Sequence, residues 1–217
     1  MNKCQLLNLT IQRLCNSGTD PNIVLLLPLN GNITDYSVNG YVANTHGTVT
    51  YVEGYFPDTT AYEISDGNYI EYFVPSLTGT FSADFFTWFN TTNGRNIKIG
   101  SYQFQTSEST QYGGVVEMNY NTNEGINSQL KYAFTKNTWY HIAITRDESD
   151  TVRLFVNGSY VSSMNSASTY GARIAFDNGQ VLSGRTERIS NFRLTKEVLH
   201  EENNGLYTFP VPTKLYV

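Results

Sequence analysis

Between Thr138 and Ser163 the residue pattern leaves the chain little choice. From Trp139 to Arg146 the sequence alternates, with Tyr140, Ile142 and Ile144 on one face and His141, Ala143 and Thr145 on the other. Asp147-Glu148-Ser149-Asp150 supplies turn residues, after which Val152, Leu154 and Val156 resume the alternation. Asn157-Gly158 follows at once. Both positions tolerate positive φ, which the two-residue turns that match strand twist require. Tyr160 and Val161 start the returning strand. The spacing predicts a three-strand antiparallel meander.

The remaining text from Ile23 onward is written the same way. Ile23 to Leu29 is apolar and runs into the turn cluster Asn30-Gly31-Asn32, with a second turn-rich stretch at Asp35-Tyr36-Ser37-Val38-Asn39-Gly40. Segments rich in Tyr, Val, Phe and Thr follow at Val49–Val52, Tyr69–Val74, Ser82–Phe89, Asn96–Phe104 and Gly114–Tyr120. After the meander come Ala172–Phe176, the turn Asp177-Asn178-Gly179 and Ile189–Thr195. Lys196 to Asn203 is expected to form a short helix, and the tail with Pro210 and Pro212 an extended segment. Short strands at regular spacing argue for an all-β, two-sheet antiparallel sandwich rather than a βαβ sheet.

Residues 1–22 stand apart as an N-terminal arm, preceding a sandwich domain at residues 23–217. In the arm Cys4, Leu7, Ile11 and Leu14 are spaced 3, 4 and 3, one helical face, although Asn8 and Thr10 are weak helix formers and an edge strand stays open. Leu7, Ile11 and Leu14 are therefore candidates for docking on another subunit, or for folding back on their own domain. Both cysteines, Cys4 and Cys15, lie in this arm, so no disulfide framework holds the sandwich, and they are expected to be reduced.

Composition removes several function classes. With 14 Lys and Arg against 19 Asp and Glu there is no basic stripe to follow nucleic-acid phosphates. The charged fraction of 15% argues against disorder by charge, and 12 Phe with 16 Tyr supply a core. The longest apolar run, Ile23 to Leu27, is far too short to span a bilayer, so no membrane insertion is expected. Polar residues interrupt the first fifteen positions, so a conventional secretory route is not expected. The sequons at Asn8, Asn32, Asn90 and Asn157 are then expected to be silent.

Trp139-Tyr140-His141-Ile142-Ala143-Ile144-Thr145-Arg146 followed by Leu154-Phe155-Val156-Asn157-Gly158 resembles the strand and hairpin signature of laminin-G-like, concanavalin A-like jelly rolls. Leu26 to Gly31 with Asp35 to Gly40 looks like that family's first strand and acidic turn, and Phe81 to Trp88 like its "F-[ST]-x-x-x-W" strand. Ile189-Ser190-Asn191-Phe192-Arg193-Leu194-Thr195-Lys196, with Tyr207 to Pro212, is similar to an ending common in bacteriophage and large-virus versions of the domain. The resemblance spans Ile23 to Thr213. It implies a sandwich used to bind glycans or to decorate a surface, in some cases with bound calcium.

Catalysis on such a sandwich needs two carboxylates aimed across one face, about 5–5.5 Å apart in retaining enzymes. The family places them in an "E-x-D-x-x-E" pattern on one strand. Glu63-Ile64-Ser65-Asp66 has the wrong spacing, and Asp147-Glu148-Ser149-Asp150 reads as a solvated hairpin loop. No enzymatic activity is therefore expected. His46, His141 and His200 lack zinc spacing, and His141 matches a framework position of the family strand. Asp35 and Asn39 are the calcium candidates, Asp35 alternatively capping its own turn. No other cofactor is expected. Tyr112 with Gln111, and Tyr170, sit in polar loops suited to stacking on sugars.

The expectation is a non-catalytic structural or decoration protein of a virion, assembled in the host cytoplasm, held to other virion proteins by its arm and open to homo-oligomerisation. The alternative is a glycan-binding, lectin-like adhesin for host-surface attachment. If the arm drives assembly, removing residues 1–22 turns an assembling chain into a folded monomer in size-exclusion chromatography with light scattering. Equal monomers with and without it would sink that idea.

Overall fold

Among the described residues the chain forms fifteen strands, whose apolar faces are covered by a second layer. In a computed structural model the described residues are 19–65, 67–90, 94–100, 102–109, 115–121, 130, 132–165, 173–176, 186–200 and 208–216. Of 94–96, 102–109 and 115–121 the backbone alone is described. The strands are β1 (Ile23–Leu27), β2 (Asn44–His46), β3 (Thr50–Glu53), β4 (Thr60–Ser65), β5 (Tyr69–Phe73), β6 (Phe81–Phe89), β7 (Gly94–Ile99) and β8 (Tyr102–Ser109). Then come β9 (Val115–Asn121), β10 (Ala133–Phe134), β11 (Tyr140–Arg146), β12 (Thr151–Val156), β13 (Ser159–Asn165), β14 (Arg173–Phe176) and β15 (Thr186–Thr195).

They form two antiparallel sheets. One has the order β13-β12-β11-β6-β15-β4-β3, with β1 pairing on β15; the other runs β10-β9-β8-β7-β14-β5-β2. Between them lies one apolar core containing Tyr62, Tyr72, Phe85, Phe89, Ile142, Ile144, Phe176 and Phe192. The all-β jelly-roll sandwich is therefore as the residue pattern predicts, and the meander is β11-β12-β13 in register.

Three local expectations change. The stretch read as one strand over Asn96–Phe104 is two, β7 and β8, because Gly100 takes φ 59° and the chain reverses there. Lys196 to His200 is bend and coil, so the described part of the expected Lys196–Asn203 helix is not helical. Thr195 Oγ1 instead accepts the Glu197 amide, and Ser82 accepts that of Leu199, tying this segment to the ends of β15 and β6. The Asp147–Asp150 loop is charge-paired rather than merely solvated. Asp147 holds Arg153 at 2.7 Å and Asp150 holds Arg146. Residues 1–18 of the arm, with Leu7, Ile11, Leu14, Cys4 and Cys15, lie outside the described residues.

The outer face of the sheet containing β11 is also covered, which explains why every residue of β11 is buried. An extended tail at residues 208–216 runs across it. Phe209 donates its amide to Gly158 O at 2.8 Å and its ring packs on Phe155, His141 and His200. A Cβ on Gly158 would lie 2.2 Å from Phe209 O, so the Gly of the hairpin both makes the turn and admits the tail. Farther along, the amide of Tyr216 donates to Asn191 Oδ1 at 2.6 Å. Asn191 sits at φ 58° in the bulge of β15, between Ser190 and Arg193, which turns its side chain toward the tail. Tyr216 also packs with Ile23 and Leu26 and donates its hydroxyl to Asp84.

Asp84 and Arg193 face each other across β6 and β15 in a buried pair, with Arg193 Nη2 at 2.8 Å and Nε at 3.1 Å from Oδ2. Burial alone would raise the Asp84 carboxyl, but the Arg193 guanidinium overrides it and holds it well below the usual carboxylate range. His141 Nε2 stands 3.9 Å from Asp84 Oδ1, inside electrostatic range and beyond a hydrogen bond. His200 lies parallel to Phe209 at 3.6 Å, and burial lowers its imidazole to about 3 despite the attraction of Asp84.

Arg193→Met leaves the Asp84 carboxylate buried without its cation and is expected to cost about 3–5 kcal/mol in urea unfolding; a loss under about 1 kcal/mol would show the pair to be dispensable. Acid should act earlier than carboxylates alone dictate. The folded His200 stays neutral down to about 3, whereas a free imidazole protonates near 6.5, so the folded state binds fewer protons between these values. Its contribution is whole above pH 6.5 and is lost as pH falls to about 3; Asp84, also lowered, adds a loss of the same sign at the acid end. His200→Phe, which keeps the stack, is expected to flatten the upper part of this decline; an unchanged slope would assign it elsewhere.

Candidate functional site

On the outer face of the seven-stranded sheet side chains of both polarities meet solvent, among them Asn44, His46 and Phe73. Alternation places Ile70 and Tyr72 of β5 in the core and turns Tyr69, Glu71 and Phe73 outward. Antiparallel register then sets Asn44 and His46 of β2 opposite Glu71 and Tyr69. On the other side Arg173 and Ala175 of β14 lie opposite Phe73 and Glu71, and Lys98 of β7 opposite Ala175. The ladder continues through Lys98 to Gln103 of β8 and on to Asn121 of β9.

Here the side chains order one another. The His46 and Tyr69 rings are parallel, 3.9 Å apart, and His46 Nε2 lies 3.1 Å from Glu71 Oε1. Arg173 donates from Nε to Glu71 Oε2 and also lies over the Tyr69 ring at 5.9 Å. Burial would raise the Glu71 carboxyl, but its bonds to Arg173 and His46 lower it, so it is an anion near neutral pH. Phe73, at 55% exposure, projects beside Arg173. A stacked aromatic pair, a fixed carboxylate acceptor, a guanidinium donor and an exposed ring thus share one patch.

Glu71 is the one carboxylate among the described side chains of this sheet, and the Arg173 guanidinium and the His46 ring already engage it. Such a group orients and accepts hydrogen bonds; the described side chains of this sheet offer it no second carboxylate to form the pair that glycoside hydrolysis uses. Nor do the described residues contain a group of three or more His, Cys, Asp or Glu able to hold a metal ion.

The residues singled out from sequence fall elsewhere. Asp35 is buried, and its Oδ1 accepts the amides of Leu26 and Ser37 while Oδ2 accepts the Tyr41 amide and the Ser37 hydroxyl. Asn39 donates from Nδ2 to the carbonyls of Ile23 and Val24. Both therefore fasten the turn to β1: of the two roles open to Asp35, capping is the one its hydrogen bonds describe. Gln111, Tyr112 and Tyr170 lie outside the described residues. Sequence reasoning missed His46, Tyr69, Glu71 and Arg173, because β2 was not recognised and the four residues are joined only by cross-strand register. The alternation within Tyr69–Phe73 was the available signal.

A laminin G-type family model, described as the concanavalin A-like lectin/glucanases superfamily, matches residues 65–196, well over half of the chain. The chain belongs to this superfamily. The match runs from the end of β4 through β15, and so holds Tyr69, Glu71 and Arg173 but not His46. No curated protein matches this superfamily member. Among solved structures it is similar to botulinum neurotoxin type C, whose way into cells is dependent upon interaction with two ganglioside molecules (12% identity, TM-score 0.66, 86% of this chain and 50% of that one). It is likewise similar to the binding domain of Paraclostridial Mosquitocidal Protein 1 (16% identity, TM-score 0.64, 82% and 49%). A third is the binding domain of botulinum neurotoxin DC in complex with rat synaptotagmin II (13% identity, TM-score 0.64, 82% and 49%). The chain spans about half the length of these structures, and at such identities the likeness is one of fold.

Proposed function

We propose that this chain is a non-catalytic, lectin-like module that binds glycans on the outer face of its seven-stranded sheet. The observation that carries the reading is the pre-ordered group of Tyr69, His46, Glu71 and Arg173 beside exposed Phe73. A pyranose offers an apolar C–H face to an aromatic ring and a rim of hydroxyls to charged and amide groups, and this patch supplies both halves. Because Arg173 and His46 already fix Glu71, little side-chain freedom is lost on binding.

Membership of a lectin-containing superfamily supports the reading, as does the neighbouring neurotoxin that interacts with gangliosides. The comparisons lend support to the adhesin expected as the alternative, and none to the virion structural protein expected first. Its docking residues Leu7, Ile11 and Leu14 lie outside the described residues.

The test is binding to an array of neutral, N-acetylated and sialylated glycans, followed by titration of any glycan retained. Tyr69→Ala should weaken binding about tenfold, the size of a lost aromatic contact of about 1.4 kcal/mol. Retained glycans bound equally well by Tyr69→Ala would remove this face as the site.

A further inference from the structure

The tail leaves one part of the opposite sheet uncovered, and the aromatic residues there are arranged as a corner. Tyr55, in the loop after β3, lies nearly flat on buried Phe86 of β6, with ring centroids 4.1 Å apart and planes 19° apart. One face of the Tyr55 ring is thus packed on the sheet, and the residue is 41% exposed. Trp139 stands beside it at 6.0 Å and 67°, the wall to Tyr55's floor. Tyr140 pairs with Thr87, so the chain enters β11 at Trp139 alongside Trp88. Arg188 lies 4.2 Å over the Trp88 ring and donates to Glu63 at 3.3 Å.

Both tryptophans of the chain, Trp88 and Trp139, therefore reach this end of one sheet face, and both are only half-buried. The core does not use them: it is built from Phe, Tyr, Leu, Ile and Val. Asp58, Asn137 and Thr138, within three residues of the two rings in sequence, are exposed polar residues. Of the large hydrophobic residues that are strongly exposed among those described, Tyr55 alone belongs to it; Tyr36, Val38 and Val42 are in the turn after β1 and Phe73 on the other sheet. A protein partner would call for a wider apolar patch. An isolated ring floor and ring wall with a guanidinium–carboxylate pair nearby fit a sugar ring.

We propose that Tyr55 and Trp139 form a second glycan-binding site, for a pyranose stacked on the Tyr55 ring and bounded by Trp139. It rests on the reading of the chain as a glycan binder but uses none of the residues of the seven-stranded sheet. Since both tryptophans are here and none is on that sheet, tryptophan emission reports this corner alone.

The experiment is a titration of the full chain with soluble neutral, N-acetylated and sialylated oligosaccharides in turn, read by tryptophan emission and by calorimetry. A saturable emission change is expected, weakened at least tenfold in Tyr55→Ser and kept in Tyr69→Ala. Tyr55 is a loop residue outside the core between the sheets, and Tyr55→Ser uncovers the outer face of Phe86; Trp139→Leu, which leaves that cover in place, provides a second variant with the same expected loss. An oligosaccharide bound by calorimetry with unmoved emission, and equally by Tyr55→Ser, would overturn the corner while leaving the other face standing. Binding of none of the oligosaccharides would overturn both.

Discussion

The ion pair of Asp84 and Arg193 is where this sandwich is tied together. It joins the two central strands β6 and β15, and through the Tyr216 hydroxyl it also holds the tail. A buried pair of this kind adds little net stability over apolar residues, yet breaking it is expensive, so its effect is to permit one arrangement and penalise others. With the tail seated, Phe209 and Tyr216 cover the outer face of β11, β12 and β1. Among the described residues, the outer face of the other sheet and the Tyr55–Trp139 corner are left for recognition.

This division rests on how each sheet handles its outward residues. In the sheet of β11 those residues include Phe86, His141 and Phe155, which need cover, and the tail and the Tyr55–Phe56 loop supply it. In the other sheet they include Tyr69, Glu71, Arg173 and His46, which satisfy one another laterally and tolerate water. The same alternation thus yields a sealed face in one sheet and a chemically presentable face in the other.

Much of the fold was legible because local rules and the final packing agree. The meander follows from period-two alternation, β1 from an unbroken apolar run, β5 and β6 from their aromatic and β-branched content and the Asp35 turn from turn chemistry, all short-range signals. The short strands β2 and β10 carry too few residues to show a period, and Gly100 ends a strand that its neighbours would have continued. Lys196 to His200 has helix-compatible composition but is captured by the hydroxyls of Ser82 and Thr195, a tertiary contact that outweighs propensity. The candidate sites were less legible. Tyr69, Glu71 and Arg173 lie up to about a hundred residues apart in sequence and meet only through strand register. Tyr112 and Tyr170 stand out in the sequence by their polar flanks, a property many of the 16 tyrosines share.

The two sheets lie back to back, separated by roughly the 10 Å of a packed sandwich. Ligands seated on opposite outer faces would not compete for space. If both surfaces take sugars, a single copy is bivalent by construction and does not need a symmetric partner to cross-link. Beads or cells coated with the right glycan would then agglutinate in the presence of monomer, and the strength of that clumping would depend on the spacing of sugars on the coated surface.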